Sequence, residues 1–357
     1  MPYTQINKST EHFRVKTYTG NGSTNNVAFD ETSNMQPDWC WIKSRDASNH
    51  NHNLIDAVRA APKILMSDST AAEITDSTDA LTAFATNGFT LGANTAGTQS
   101  YELNKNGDNY VSWNWKAGGA TGSSNSDGTI TSTVSANTTA GFSIVKFVGN
   151  STSGATVGHG LGAIPKVIII KNRDTAYSWR SYFAPLGATK YIELDANAAA
   201  VTASNFMNDT APTSTVFSLG NGDTPNKNGD NYIAYCFAEK TGYSKFGSYT
   251  GNGNADGTFV YTGFKPAFVI RKRTDATADW RMDDNKRPGY NVIPYTLFPN
   301  EPNAETSSTH YKTDFLSNGL KCYGTSGNHN ASGGTYIYMA FAEAPLVGSN
   351  NVPCTAR

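Results

Sequence analysis

The sequence predicts an all-β protein made of three tandem antiparallel β-sandwich repeats of jelly-roll-like type, each about 100 residues long and so able to bury a core. Composition is the first reason. Charged residues make up 16% of the 357 residues, compared with roughly 25% in an average soluble protein. Aromatic residues make up 11%, and the chain has 33 glycines. This mixture favours strands and turns over a helical bundle, a coiled coil or a nucleotide-binding α/β fold.

Short segments of alternating hydrophobicity are the second reason. In residues 232–237 successive side chains point to opposite faces, as in a half-buried strand. Residues 167–170 are apolar on both faces, which predicts a central strand covered on two sides. Gly, Asn and Asp turns separate such segments, which is typical of an antiparallel sandwich or jelly roll. One weak helical pattern occurs at residues 54–61 and is stopped by Pro62.

Internal repetition is the third reason, because five landmarks recur three times in the same order. Each copy has an aromatic strand end running into a Gly/Asn turn, then a proline followed by an apolar run that ends in cations. A small-residue turn, a short strand, and a final Gly-containing turn leading into an aromatic strand complete it. The proline and the tyrosine of this last strand are 73, 67 and 70 residues apart, in the pairs Pro37 and Tyr110, Pro165 and Tyr232, and Pro266 and Tyr336.

These landmarks divide the chain into six segments. An N-terminal arm covers residues 1–12, and the three repeats cover 13–117, 142–241 and 242–345. The Gly-, Ser- and Thr-rich segment 118–141 is predicted to be a flexible or extended linker. Repeats two and three follow one another with almost no spacer, so we expect them to pack together. A C-terminal tail covers residues 346–357.

Charge, hydropathy and cysteine content exclude several classes of function. The net charge is −1, which gives no electrostatic footprint for nucleic acid or an anionic membrane. The longest strongly apolar run, at 167–170, is far shorter than the ~20 residues of a membrane helix, so membrane insertion is not expected. The four cysteines are far apart without a CxxC pair, and the N-terminus lacks a secretory signal pattern. We therefore expect synthesis in a reducing compartment.

No catalytic, cofactor-binding or metal-binding residue is predicted. The glycine-rich turns precede no amphipathic helix, and nucleophile-elbow and zinc-protease motifs are missing from the sequence. Glu239 and Glu343 end matching strands, but Ala117 stands at the corresponding step of the first repeat, which argues against a carboxylate pair for hydrolysis. The Asn- and Asp-rich turn at residues 223–230 offers oxygens for calcium. A hairpin turn explains all three copies without a metal and is favoured, while calcium is left open.

Five residues are candidates for contact with a receptor or glycan: His50, His52, Tyr177, Trp179 and Trp280. They follow a predicted hairpin turn in each repeat, where binding residues are common. On a strand, the two histidines would share one face, and a zinc site there is the weaker alternative. An exposed loop or a packing aromatic is the principal alternative at this position. The tryptophan pairs 39/41 and 113/115 also share faces, and aliphatic residues at the positions corresponding to the first pair favour a core role.

The repeat motifs resemble those of a triplicated β-repeat family of tailed, mainly marine, bacteriophages. The resemblance rests on Tyr-Thr-Gly-Asn-Gly at 18–22 and 249–253, Pro-x-x-Val-x-x-Lys at 266–272, and Asn-Gly-Asp-Asn-Tyr at 106–110 and 228–232, and it covers nearly the whole chain. Members of that family are mostly described as tail-fibre or virion structural proteins. The resemblance implies a non-enzymatic virion component and supplies no catalytic or receptor-contact residue to place here.

From this resemblance we expect a virion surface protein, assembled in the bacterial cytoplasm, that belongs to a tail fibre or tail appendage and contributes to host attachment. The expected partners are further copies of itself in a homo-oligomer, other virion proteins bound through the terminal arms, and a host surface glycan or protein. Three alternatives stay open. They are a capsid or neck decoration protein, a glycan-binding lectin and, least favoured, a polysaccharide hydrolase.

Overall fold

The computed structural model describes residues 4–95, 100–119, 121–287, 291–348 and 352–354, and it consists mainly of β-strands. The predicted all-β antiparallel class is therefore confirmed. The sheets fall into three groups along the chain, which we call the first unit (residues 4–117), the second unit (118–241) and the third unit (242–354). Among the described residues the α-helices are single turns, and none has the length and apolarity to cross a membrane.

The first unit has a larger sheet in the order β1-β9-β3-β4-β5-β6 and a smaller sheet in the order β2-β8-β7. A 3₁₀ turn at Ser9–Glu11 precedes the first strand. The strands are β1 (Phe13–Thr19), β2 (Asn25–Ala28), β3 (Trp39–Ser44), β4 (Asn53–Asp56), β5 (Lys63–Met66), β6 (Ile74–Thr75), β7 (Leu81–Ala85), β8 (Gly88–Leu91) and β9 (Asn109–Trp115).

The second unit has a larger sheet in the order β10-β11-β12-β19-β14-β15-β16-β17 and a smaller pair, β13-β18. Two helical turns, α1 (Ser204–Met207) and α2 (Asp223–Asn226), lie near the smaller sheet in sequence. The strands are β10 (Ser123–Asn125), β11 (Ser132–Asn137), β12 (Phe142–Val148), β13 (Ala155–Gly158), β14 (Val167–Asn172), β15 (Arg180–Phe183), β16 (Lys190–Glu193), β17 (Val201–Thr202), β18 (Val216–Leu219) and β19 (Asn231–Phe237).

The third unit has a larger sheet in the order β20-β28-β22-β23, a smaller sheet in the order β21-β27-β26, and a pair β24-β25. A 3₁₀ turn at Thr309–Tyr311 precedes β26. The strands are β20 (Ser244–Thr250), β21 (Asp256–Tyr261), β22 (Phe264–Arg273), β23 (Arg281–Asp284), β24 (Tyr295–Thr296), β25 (Thr306–Ser307), β26 (Thr313–Leu316), β27 (Gly319–Tyr323) and β28 (Thr335–Pro345).

Each larger sheet contains the same three-stranded arrangement. The strand after the last turn lies between the strand of the first landmark and the strand that follows the proline, giving β1-β9-β3, β12-β19-β14 and β20-β28-β22. Stacked ring pairs recur at matching registers, with centroid separations of 5.1, 5.2 and 4.8 Å for Tyr18 and Tyr110, Phe147 and Tyr232, and Tyr249 and Tyr336. The division into three homologous copies stays a prediction, and this recurrence of contacts agrees with it.

The inner faces of the three larger sheets meet in one hydrophobic core at the centre of the molecule. Trp39 of the first unit stacks on Tyr235 of the second at 4.3 Å, and Phe13 of the first unit stacks on Phe341 of the third at 5.3 Å. Phe237 of the second unit contacts Phe341 at 5.8 Å. We call this cluster the shared core. The units are therefore not independent sandwiches joined in a row, because each contributes one sheet face to a core that the others complete.

The outer face of each larger sheet packs on the smaller sheet of the same unit, and this gives each unit a sandwich core of its own. Strand β14 illustrates the result. Val167 and Ile169 belong to the shared core, whereas Ile168 and Ile170 belong to the core of the second unit. The prediction of a central strand covered on both sides is confirmed. The tryptophans at 39, 41, 113 and 115 are likewise buried in the shared core, as their spacing favoured.

Two local predictions were wrong. Segment 118–141, predicted as a linker, contributes β10 and β11 to the larger sheet of the second unit, where β11 pairs with β12. Its Ser and Thr residues suit an edge strand as well as a linker, so composition did not separate the two. The weak helical pattern at 54–61 instead forms β4 and a turn. Leu54 faces the shared core and Ile55 faces the core of the first unit, an alternation that a helix cannot provide.

The described parts of both termini lie against the body. The Gln5 amide donates to the Thr241 carbonyl at 3.1 Å, and the Ile6 side chain enters the shared core. At the other end, the Cys354 amide donates to the Leu346 carbonyl at 2.9 Å. The predicted arm and tail also include residues 1–3, 349–351 and 355–357, which lie outside the described residues.

Candidate functional site

The junctions between the units contain most of the residues that the sequence singled out. In the first unit, residues after β5 contact the segment after β14 of the second unit. The second unit contacts the segment after β22 of the third unit in the same way, and the third unit contacts the segment after β3 of the first unit. The corresponding amide-to-carbonyl bonds measure 2.8, 2.9 and 2.8 Å, from Glu73 to Arg173, Ala200 to Thr274 and Glu305 to Arg45. The three units therefore close into a ring with head-to-tail contacts, the arrangement that cyclic trimers build from separate chains.

A buried lysine lies at each junction. Lys43, Lys171 and Lys272 occupy matching positions near the ends of β3, β14 and β22, and all three are fully buried. Each ammonium donates to a carbonyl of the neighbouring unit, at 3.3 Å to Pro302, 2.9 Å to Thr70 and 3.1 Å to Asn197 respectively. Burial lowers the pKa of each lysine to about 8. At neutral pH these three charges therefore bridge the units.

Trp179 and Trp280 lie inside the junctions. Both are buried, and each indole N–H donates at 2.8 Å to a carbonyl of the preceding unit, that of Met66 for Trp179 and that of Glu193 for Trp280. A stacking platform needs an open ring face, and neither indole has one. The contact prediction for these two residues is therefore wrong, and the packing alternative describes them.

His52 occupies the corresponding position at the junction between the first and third units. It is fully buried, accepts a hydrogen bond from the Trp41 indole at its Nδ1 at 3.0 Å, and lies parallel to Trp113 at 6.4 Å. Burial lowers its pKa well below the usual value, and the neighbouring Lys43 and Arg287 lower it further. A neutral imidazole thus packs where the other units place an indole, so the contact prediction fails for His52 too.

His50 and Tyr177 lie apart from the other candidates. His50 precedes β4 in a loop and is largely buried, with its Nε2 3.6 Å from a Glu102 carboxylate oxygen, so the two histidines do not share a strand face. Tyr177 is half-buried, and its hydroxyl donates to Asp223 at 3.2 Å. Tyr177 alone among the five keeps substantial exposure, and its role as a contact residue stays a prediction.

The junction between the first and second units holds a network of charged side chains. Asp56 and Arg59 of the first unit pair with each other, and the Asp56 carboxylate accepts a hydrogen bond from the Tyr235 hydroxyl of the second unit at 2.8 Å. Glu73 binds Arg59 at 3.1 Å and Arg173 of the second unit at 2.8 Å. These ion pairs lower the pKa of Glu73 to about 2 despite its burial.

The junction between the third and first units repeats this network with different residues. Asp284 and Arg287 pair at 2.6 Å, and the Trp113 indole of the first unit donates to Asp284 at 3.1 Å. Glu305 binds Arg287 at 3.0 Å and Arg45 of the first unit at 2.8 Å. The pairing is thus the same at both junctions. One unit supplies an Asp-x-x-Arg turn and a glutamate, and the next unit supplies an arginine and the N–H or O–H of an aromatic side chain.

The junction between the second and third units is apolar at the same positions. Phe183 and Leu186 stand where the other junctions have the aspartate and the arginine, and Ala200 replaces the glutamate. Leu186 and Ala200 pack against the shared core, which also contains Phe183 and Met339. Arg273 pairs with Asp275 of its own unit. The ring therefore has two ionic junctions and one hydrophobic junction.

Sequence reasoning missed both ionic networks. The available signal was the Asp-x-x-Arg spacing at 56–59 and 284–287, followed by a glutamate at 73 and at 305. It also did not predict the turn-closing role of Asn104, Asn226 and Asn330, which are fully buried in the final turn of each unit. Each side-chain oxygen accepts a hydrogen bond from a backbone amide in the Gly/Asn turn of the first landmark, at 3.0, 2.8 and 3.0 Å from Asn21, Asn150 and Asn252.

Asp223, Asn226 and Asp230, in the turn proposed for calcium, accept hydrogen bonds from the protein itself. Asn226 closes the turn as described, and Asp230 accepts hydrogen bonds from Asn172 at 2.8 Å and Thr175 at 2.7 Å. Groups of three or more metal-ligating His, Cys, Asp or Glu side chains were not found within the described ranges. The geometry agrees with the hairpin-turn interpretation. Chemically, the junction residues hold units together, because their donors and acceptors are directed at one another or at backbone carbonyls.

Acid should weaken the junction between the first and second units through Glu73. Its pKa is about 2 in the folded protein and 4.5 in a free side chain, so its stabilisation is complete above pH 4.5 and is lost as the pH falls toward 2. We expect Glu73→Gln to lower stability at pH 7 and to flatten the pH dependence between those values, as measured by urea unfolding at a series of pH values. Glu11→Gln, at an exposed carboxylate, is the control and should follow the wild type. An unchanged slope in Glu73→Gln would contradict the assignment.

Comparison with known proteins identifies a family. The model of a family described as a domain of unknown function (DUF7483) matches residues 8–345, which includes nearly all of the three units. No curated protein and no solved structure matched the chain.

Proposed function

Because the chain belongs to the DUF7483 family of unknown function, we propose its role from geometry: a non-catalytic structural component of a virion, carried on a tail fibre or tail appendage, that contributes to host attachment. The observation that carries the proposal is the closed ring of three units around the shared core. Three lysines, one histidine and two tryptophans are buried in the junctions between the units, and these contacts make the protein rigid. The resemblance to phage repeat proteins supplies the biological setting.

The ring supports a structural role for a physical reason. Three β-sandwiches that share one core cannot move relative to each other without exposing large aromatic side chains to water. Each unit still exposes turns and a smaller sheet at its periphery, so a rigid body presents several surfaces at fixed positions. Such a body suits an appendage that holds binding surfaces in place. A homo-oligomer stays a proposal, and the ring shows that one chain already supplies three units.

Immunogold labelling of virions of the virus that encodes this protein tests the location. We expect label on the tail, and label on the head would instead favour the capsid or neck decoration alternative. Purified protein should also block adsorption of the virus to host cells in a dose-dependent way. Virions without label would overturn the virion assignment. Labelled virions whose adsorption is unaffected by saturating protein would overturn the attachment role alone.

A further inference from the structure

A surface pocket between the second and third units combines an exposed aromatic ring with a charged pair. The pocket has a volume of about 340 Å³ and lies where the end of the second unit meets β20, β21 and residues 346–347 of the third unit. Its lining includes Glu239, Lys245, Tyr261, Gly263, Leu346 and Val347. This volume is within the range of small-molecule sites, which are typically lined by apolar groups with a few polar ones.

Two aromatic side chains of β21 stand out on the surface. Phe259 is 43% exposed and Tyr261 is 57% exposed, and within the described ranges they are the aromatic residues in the exposed class. They are two residues apart, so they share the outer face of the smaller sheet. The Phe259 ring lies beside Gly319 and the Tyr261 ring beside Gly263, where a side chain would otherwise stand. Rings placed over glycine backbone keep a face open to solvent.

Comparison of the three units shows that these aromatics are not needed for folding. The inward residue of the corresponding strand is Val27, Val157 or Val260, and all three are buried. The flanking outward positions hold Asn26 and Ala28 in the first unit and Thr156 and Gly158 in the second. The same sheet therefore forms with small or polar residues outside. Among the described residues, the third unit alone has such a pair of exposed rings, which points to binding rather than to packing.

The charged pair supplies hydrogen-bonding groups beside the ring. Lys245 Nζ lies 2.7 Å from Glu239 Oε1, and the side chains are 38% and 29% exposed. An ammonium has three donors and a carboxylate has about four acceptor sites, so both keep capacity after pairing. Adjacent donors and acceptors match neighbouring hydroxyls of one ligand. Two other surface grooves, beside Gly118 and Gly119, have no aromatic lining residue among those described.

We propose that this pocket binds a neutral oligosaccharide, with the apolar face of a sugar ring on Tyr261 and two neighbouring hydroxyls on Glu239 and Lys245. Sugars combine a C–H face, which packs on an aromatic ring, with hydroxyls that need paired donors and acceptors. The charge of the pair sums to zero, which favours a neutral ligand over an acidic one. The inference rests on the proposed attachment role and names the class of surface molecule that is recognised.

The test uses the full chain and an immobilised panel of oligosaccharides containing hexoses, N-acetylhexosamines and uronic acids. Affinities for the best neutral ligand are then measured by calorimetry. Tyr261→Ala and Glu239→Gln should each bind about tenfold more weakly, the scale of one lost ring contact or hydrogen bond. Val148→Ala, at a residue 48% exposed on another strand, is the matched control and should bind as the wild type does. All variants should keep the wild-type unfolding temperature.

Three outcomes would overturn the inference. They are wild-type affinity in both pocket variants, preferential binding of the uronic acids, and no binding to any oligosaccharide of the panel. The last outcome is distinguishable from failure of the proposed function. Purified protein that binds no sugar but still blocks adsorption would leave the attachment role in place and remove only the oligosaccharide.

Discussion

Trp39→Ala should lower the free energy of unfolding by about 3–5 kcal/mol, the range for loss of a large aromatic side chain from a core. Trp39 is 1% exposed, and its ring lies 4.3 Å from Tyr235 of the second unit and 4.5 Å from Trp115 of its own. Because the cavity would open in the shared core, the loss should affect all three units. We expect one cooperative transition in urea, shifted to lower concentration, by both circular dichroism and fluorescence.

The shape of this transition separates the ring from a row of independent sandwiches. If the units were independent, the substitution would destabilise only the first unit. The second and third units would then unfold at their wild-type urea concentrations. Two separated transitions in Trp39→Ala would therefore contradict a shared core. Val148→Ala, at an exposed position, should change stability by no more than about 0.5 kcal/mol and serves as the control.

Arg59→Leu should destabilise the protein by about 3–5 kcal/mol, the usual cost of breaking a buried ion pair from one side. Arg59 is 3% exposed and pairs with Asp56 and Glu73, which would be left buried without their cation. These carboxylates raise the pKa of Arg59, so it is charged at every accessible pH. Urea unfolding of the single variant at pH 7 measures the loss.

The apolar junction between the second and third units indicates how to reverse that loss. Combining Arg59→Leu with Asp56→Phe, Glu73→Ala and Tyr235→Phe copies the Phe183, Leu186 and Ala200 arrangement and removes the hydroxyl that would lose its acceptor. Replacement of a buried ionic group by packed apolar side chains is often neutral or stabilising. Arg173, which the combined variant keeps, is partly exposed and can be solvated. We expect the combined variant to regain the wild-type stability to within about 1 kcal/mol, a strongly non-additive result. A combined variant less stable than Arg59→Leu alone would contradict the equivalence of the junctions.

The site was predicted only in part, for a specific physical reason. A tryptophan after a turn looks the same in sequence whether its ring faces solvent or the next unit, and Trp179 and Trp280 face the next unit. The Asp-x-x-Arg turns at 56–59 and 284–287 resemble ordinary surface loops until the ring closes over them. The exposure of the aromatic residues on β21 could not be predicted either, because the alternation of Tyr261 with Val260 is the same in any strand.

The sequence by itself determined the all-β antiparallel class and the two-sided burial of β14, because period-2 hydrophobicity and turn residues act over a few neighbouring residues. It also indicated the five recurring landmarks along the chain. Only the tertiary structure decided that the inner sheet faces meet in one shared core, that segment 118–141 joins a sheet, and that two junctions are ionic and one is apolar. These features depend on contacts between residues such as Glu73 and Arg173, which are far apart in sequence. The local sequence pattern does not predict such pairings. The role of each of these side chains depends on its burial against a neighbouring unit.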